Sequence, residues 1–128
     1  MQQEGEALIV ENSIELDKKQ KATSAKKDGD DINEYNIDLI NRKYQSNLDK
    51  FQQRKYSEAL AGFQELLFHY PQHALACNFK YWTGECYYAL REYHDAFDAF
   101  QSVLQSDCYF KHDDALRMCG IVCKRLKK

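Results

Sequence analysis

The chain has 128 residues, a net charge of −2 and a pI near 6.1, which is one domain's worth of sequence without the charge excess that marks a polyanion binder. All nine Tyr, all seven Phe and the single Trp lie after residue 34, so a core can be built only from there on. Nothing approaches the roughly 18 apolar residues of a membrane span, and the five cysteines are an odd number whose spacing fits no disulfide framework.

Residues 1–32 carry eight acids and five lysines and contain no aromatic ring. The run Lys18–Asp31 cannot offset its ordering entropy by burial, so the segment reads as a flexible charged tail, with a transient helical turn over Ala7–Leu16. Ala7–Val10 is only four apolar residues flanked by acids, too short for a secretory core. With no leader and five free thiols, the chain reads as one from a reducing compartment.

From residue 33 to 128 the spacing turns helical. Ile37, Ile40, Tyr44, Leu48 and Phe51 form one stripe at steps of three or four. Tyr56, Ala59, Leu60, Phe63, Leu66 and Leu67 form a second, which stops at Tyr70–Pro71 because proline lacks an amide hydrogen. Ala74–Leu90 is a third helix, Tyr93–Leu104 a fourth and Asp113–Leu126 a fifth. No useful stretch alternates with period two, so the expected fold is all-α. The breaks at Gln53–Lys55 and Arg91–Glu92 are short enough to force antiparallel neighbours.

The helices repeat. Tyr56, Ala59, Phe63 and Gln64 recur 37 residues later as Tyr93, Ala96, Phe100 and Gln101. In the preceding helices Tyr44 recurs as Tyr81 and Arg54 as Arg91, and Gly84 returns as Gly120, 36 residues on. Small Ala59, Ala96 and Gly84 suit close helix crossings, and Phe63 and Phe100 suit the space between pairs. Asn47 replaces glycine in the first copy, Cys108 stands where the second would have proline, and three extra residues fall near Gln72–Cys77.

A repeat of this size signals a solenoid. The strings Gly84-x-x-Tyr87, Tyr93-x-x-Ala96-x-x-x-Phe100 and Tyr56-x-x-Ala59-x-x-x-Phe63 with Pro71 resemble the tetratricopeptide repeat family, at about two and a half repeats. Tyr81–Trp82-x-Gly84–Glu85-x-Tyr87–Tyr88 and Lys111-x-Asp113–Asp114–Ala115–Leu116 are similar, more narrowly, to the C-terminal domain of Tol–Pal-associated periplasmic proteins. That resemblance covers about residues 44–126. It implies a scaffold holding a protein or peptide partner in a concave groove, in a bacterial cell-envelope assembly. The alternative within the same repeat class is a cytoplasmic chaperone of a secretion system.

In this class the first helix of each pair lines the groove. Carried over by register, the groove consists of Asn41, Tyr44 and Leu48, then Asn78, Tyr81, Glu85 and Tyr88, then Arg117, Ile121 and Lys124. Tyrosines with a few amides and charges are good recognition material, and Tyr81 and Tyr88 are expected to face the groove, with core packing the alternative. Tyr44 and Leu48 stand where the family's carboxylate-clamp cochaperones need lysine and asparagine, which argues against binding of chaperone C-terminal tails. The last helix lacks a partner, so Met118, Ile121 and Val122 are expected to be partly exposed, which predicts either homo-oligomer contact there or a C-terminal continuation.

Catalytic, cofactor and metal sites are not expected. His69-x-x-x-His73-x-x-x-Cys77 resembles ligand spacing but is interrupted by Pro71, and Cys119 and Cys123 read as small buried hydrophobes. Cys86 with His94 lacks an orienting group, and Asp113–Asp114 read as acids at a helix start. The basic end at Lys124, Arg125, Lys127 and Lys128 suits a helix C-terminus better than a nucleic-acid surface.

Overall fold

A computed structural model describes residues 14–18 and 34–127, the side chains of 34–36 excepted. Among the described residues there is no strand. The helices are α1 (Glu34–Gln52), α2 (Tyr56–His69), α3 (Ala76–Ala89), α4 (Tyr93–Leu104) and α5 (Tyr109–Leu126). Each packs on the next in chain order, and α3 also meets α5. The all-α expectation holds. The fifth helix starts four residues before the expected Asp113, so Asp113 and Asp114 lie a turn inside it and do not cap it.

The 37-residue register is visible in the coordinates. Tyr44 meets Phe63 edge-on with centroids 6.1 Å apart, and the equivalent Tyr81–Phe100 pair lies at 5.5 Å. Phe51–Tyr56 at 5.0 Å is matched by Tyr88–Tyr93 at 5.7 Å. The turns repeat as well. Lys55 N–H donates to the Lys50 carbonyl and Arg54 N–H to that of Phe51, while Glu92 donates to Tyr87 and Arg91 to Tyr88. This is the helix-ending motif in which one left-handed residue frees its neighbours to satisfy the last carbonyls. Arg54 (φ 66°) and Arg91 (φ 65°) take that conformation, at roughly 1 kcal/mol each for a residue with a side chain.

Ala59 and Ala96 are fully buried, as a close crossing requires. At Gly84 a Cβ would come within 2.7 Å of the Phe100 ring, itself fully buried. At the equivalent Gly120 a Cβ would meet nothing within 4 Å. In the first copy the small residue has changed sides: Asn47 occupies the Gly84 position, and Gly62 on α2 makes room for its amide. Gly84→Ala and Gly120→Ala should therefore differ in sign. Alanine recovers about 1 kcal/mol of helix propensity at either site. At Gly84 overpacking costs roughly 1–3 kcal/mol and outweighs that gain. Urea unfolding should show Gly84→Ala less stable than the parent and Gly120→Ala more stable; the same sign at both would refute this account of the crossing.

Two expectations at the chain ends need correction. Residues 14–18 fall in the stretch expected to be a flexible charged tail with a transient turn over Ala7–Leu16; they form a helical turn with Ile14 fully buried and Asp17 5% exposed. The rest of residues 1–32 lies outside the described residues. At the other end Met118 and Val122 are buried rather than partly exposed, while Ile121 is half-buried, as expected of it. These side chains point back towards the body of the protein, and the outward face of α5 is Asp113, Leu116, Gly120 and Cys123.

The five cysteines are not all free. Cys77 at the start of α3 and Cys108 before α5 form a disulfide, with Cα atoms 5.6 Å apart. The sequence carried a signal for it: Cys108 takes the place of the first copy's proline, and Cys77 falls by the inserted residues. Both lie where the repeat departs from its own pattern. Cys86, Cys119 and Cys123 remain as thiols, Cys123 exposed rather than buried as expected.

Candidate functional site

The face shared by α1, α3 and α5 holds the residues that register placed in a groove. Their burial is greater than a free groove would give. Tyr44, Leu48, Asn78 and Tyr81 are fully buried and Glu85 is 2% exposed. Asn41, Tyr88, Arg117 and Ile121 are half-buried, and Lys124 is exposed. Tyr81 thus takes the core-packing alternative. Tyr88 keeps an accessible ring, with the Arg125 guanidinium 5.6 Å from its centroid.

These side chains are joined across helices by polar contacts. Asn78 Nδ2 on α3 donates to the Tyr44 hydroxyl on α1 at 3.0 Å. The Tyr81 hydroxyl donates to Glu85 Oε2 at 2.5 Å, one turn along α3. Burial raises both phenols above the ordinary tyrosine range; the charge of Asp17 adds to this at Tyr44, and that of Glu85 at Tyr81. Burial also lifts Glu85 to about 7, against the lowering effects of the Tyr81 hydroxyl, Arg117 and Lys111. Arg117 Nη2 is buried without a hydrogen-bond partner.

Three residues that the sequence did not single out for this face complete it. Trp82 Nε1 donates to Asp17 Oδ2 at 2.6 Å, and Lys111 Nζ lies 2.8 Å from the same oxygen. The Lys111 ammonium also lies 4.5 Å from the Tyr81 ring centroid and 5.9 Å from that of Trp82. Asp114 is a more distant partner at 3.7 Å. On the α1 side Lys18 Nζ meets Asp49 at 2.6 Å and Gln52 at 2.9 Å, and Gln45 Nε2 donates to the Lys18 carbonyl. Residues 14–18 therefore touch α1, α3 and α5 at once. The available signals were Ile14 with Asp17 three residues on, which share one helix face, and an indole displaced from the usual aromatic slot.

The other constellations take ordinary structural roles. Cys77 of the His69–His73–Cys77 spacing is in the disulfide. His73 accepts the Leu75 N–H through Nδ1 and stacks on Phe79, and burial lowers its pKa. Cys86 is buried, and desolvation together with Glu85 pushes its thiol up, away from nucleophile character. Among the described residues no group of three His, Cys, Asp or Glu could hold a metal ion, and no helix is long and apolar enough to cross a membrane. A separate open cleft of about 590 Å³ between α1 and α2 is lined by mixed charges, including Lys43, Lys50, Glu58 and Glu65.

Fold and site together define an all-helical, repeat-like chain with a polar, ring-rich face across alternate helices. Comparison with family models, curated proteins and solved structures finds no match to the chain.

Proposed function

We propose that this chain is a protein-interaction scaffold of tetratricopeptide type, holding a partner segment on the face formed by α1, α3 and α5. The observation that supports the reading is the repeated ring pair within each helix pair, Tyr44–Phe63 and Tyr81–Phe100, together with the contacts of α1 with α3 through Tyr44–Phe79, Phe51–Trp82 and the Asn78–Tyr44 hydrogen bond. Aromatic rings bury area at low entropic cost, and amides and charges placed among them supply orientation. The Cys77–Cys108 disulfide favours an oxidising compartment, and so the cell-envelope setting over a cytoplasmic secretion chaperone.

The test is affinity capture from a cell-envelope extract by the intact chain and by surface variants. Tyr88→Ala with Lys124→Glu alters the rim of the face without emptying the core, whereas Tyr81→Ala would remove a fully buried ring. Phe68→Ser, at a site 80% exposed on α2, is the control. A partner captured by the parent and the control and lost at least tenfold with the rim pair is the expected result. Equal capture by all three chains would remove the face from consideration.

A further inference from the structure

The placement of residues 14–18 bears on what the face recognises. Ile14 is fully buried, and Asp17 is held by two donors from different helices, Trp82 Nε1–H of α3 and the Lys111 ammonium of α5. Both side chains of the Asp17–Lys111 pair are under a tenth exposed. A buried ammonium is costly unless it is paired, and Asp114 at 3.7 Å is a poorer partner than Asp17 at 2.8 Å. An indole N–H in an apolar setting likewise needs an acceptor. The face is therefore built around a carboxylate, with room for an aliphatic side chain one turn before it. Among the described residues, one short helical turn supplies both. It rests on few apolar contacts, since Leu16 points outward at 68% exposure.

We infer that the α1/α3/α5 face is a receptor for a short helical segment presenting an aliphatic side chain and, three residues later, a carboxylate, and that residues 14–18 are its built-in occupant. This rests on the scaffold reading and adds to it both the partner's chemistry and a mode of regulation. A tethered occupant competes at an effective concentration on the order of 1 mM, so an external partner of the same chemistry must displace it. Partner binding and release of residues 14–18 are then one equilibrium.

The probe is a fluorescein-labelled peptide with the sequence of residues 8–22, titrated against the full chain. The Ile14→Glu, Asp17→Lys double variant places a cation opposite Lys111 and vacates the face without changing any residue of α1, α3 or α5. Anisotropy should show this variant binding the peptide at least tenfold tighter than the parent, and a peptide carrying Asp17→Lys should not bind. Trp82 is the only tryptophan, so its indole N–H resonance reports on the site alone. Asp17→Asn, a near-isosteric change suited to the case where the double variant does not fold, should shift that resonance and speed its hydrogen exchange. Equal affinity of parent and double variant would overturn the built-in occupancy while leaving a receptor face. Absence of binding to either chain would overturn the scaffold reading with it, and an indole resonance unmoved by Asp17→Asn would overturn the carboxylate site itself.

Discussion

Replacing Cys77 and Cys108 together by serine is expected to lower the unfolding free energy by about 3–4 kcal/mol. The bridge closes a loop with a sequence separation of 31, and removing a cross-link of that span returns about this much chain entropy to the unfolded state. The loop comprises α3, α4 and the turn into α5. The released flexibility would therefore fall on the helices carrying Tyr81, Trp82 and Glu85. Urea unfolding of the oxidised parent, the reduced parent and the double serine variant measures the effect. The two thiol-containing or serine forms should agree with each other and differ from the oxidised chain. Thiol titration provides an independent check. In the oxidised native chain only Cys123 should react quickly, since Cys86 and Cys119 are buried. Unfolding without reductant should bring the count to three, and reductant to five. A native chain with five titratable thiols would remove the bridge from the fold.

Glu85 is expected to make the protein less stable as pH rises from about 4.5 to 7. Its carboxyl is buried and its folded pKa is raised to about 7 from an ordinary 4.5, so the folded state holds a proton that the unfolded state has released across this window. When the folded state binds more protons, stability falls with increasing pH. The favourable contribution is fully present below about 4.5, is lost progressively between the two values, and is absent above 7. The size of the effect is about 3 kcal/mol. Glu85→Gln keeps the shape and an acceptor for the Tyr81 hydroxyl without a titrating group. It should flatten the profile over this window and exceed the parent in stability at pH 8. Denaturant midpoints at pH 4.5, 6 and 8 for both chains decide the matter; parallel profiles would show that Glu85 does not titrate there. Since Glu85 lies on the helix that presents Trp82 to Asp17, the same window should loosen the α3 face first.

The sequence by itself determined that the chain is helical, where most helices begin and end, and that the unit recurs every 37 residues. These follow from local rules: step-of-three-or-four spacing, a proline that cannot continue a helix, and small residues at fixed offsets from rings. The coordinates return the same register in the paired rings and in the two left-handed arginines. Register also put Tyr44 and Tyr81 at equivalent positions of successive helices, though not how deeply either is buried.

Only the tertiary structure decided which of those residues are buried, which cysteines pair and where Asp17 goes. Each depends on contacts between residues far apart in the chain, which no spacing rule contains. Cys77 and Cys108 are 31 apart in sequence, and Asp17 is 94 residues from Lys111 and 65 from Trp82. A charged segment without rings reads as unable to order itself, and that holds while it is considered alone. The partners of residues 14–18 lie on other helices: the buried Lys111 ammonium and the Trp82 indole N–H both meet the Asp17 carboxylate, and neither is visible from the segment's own composition.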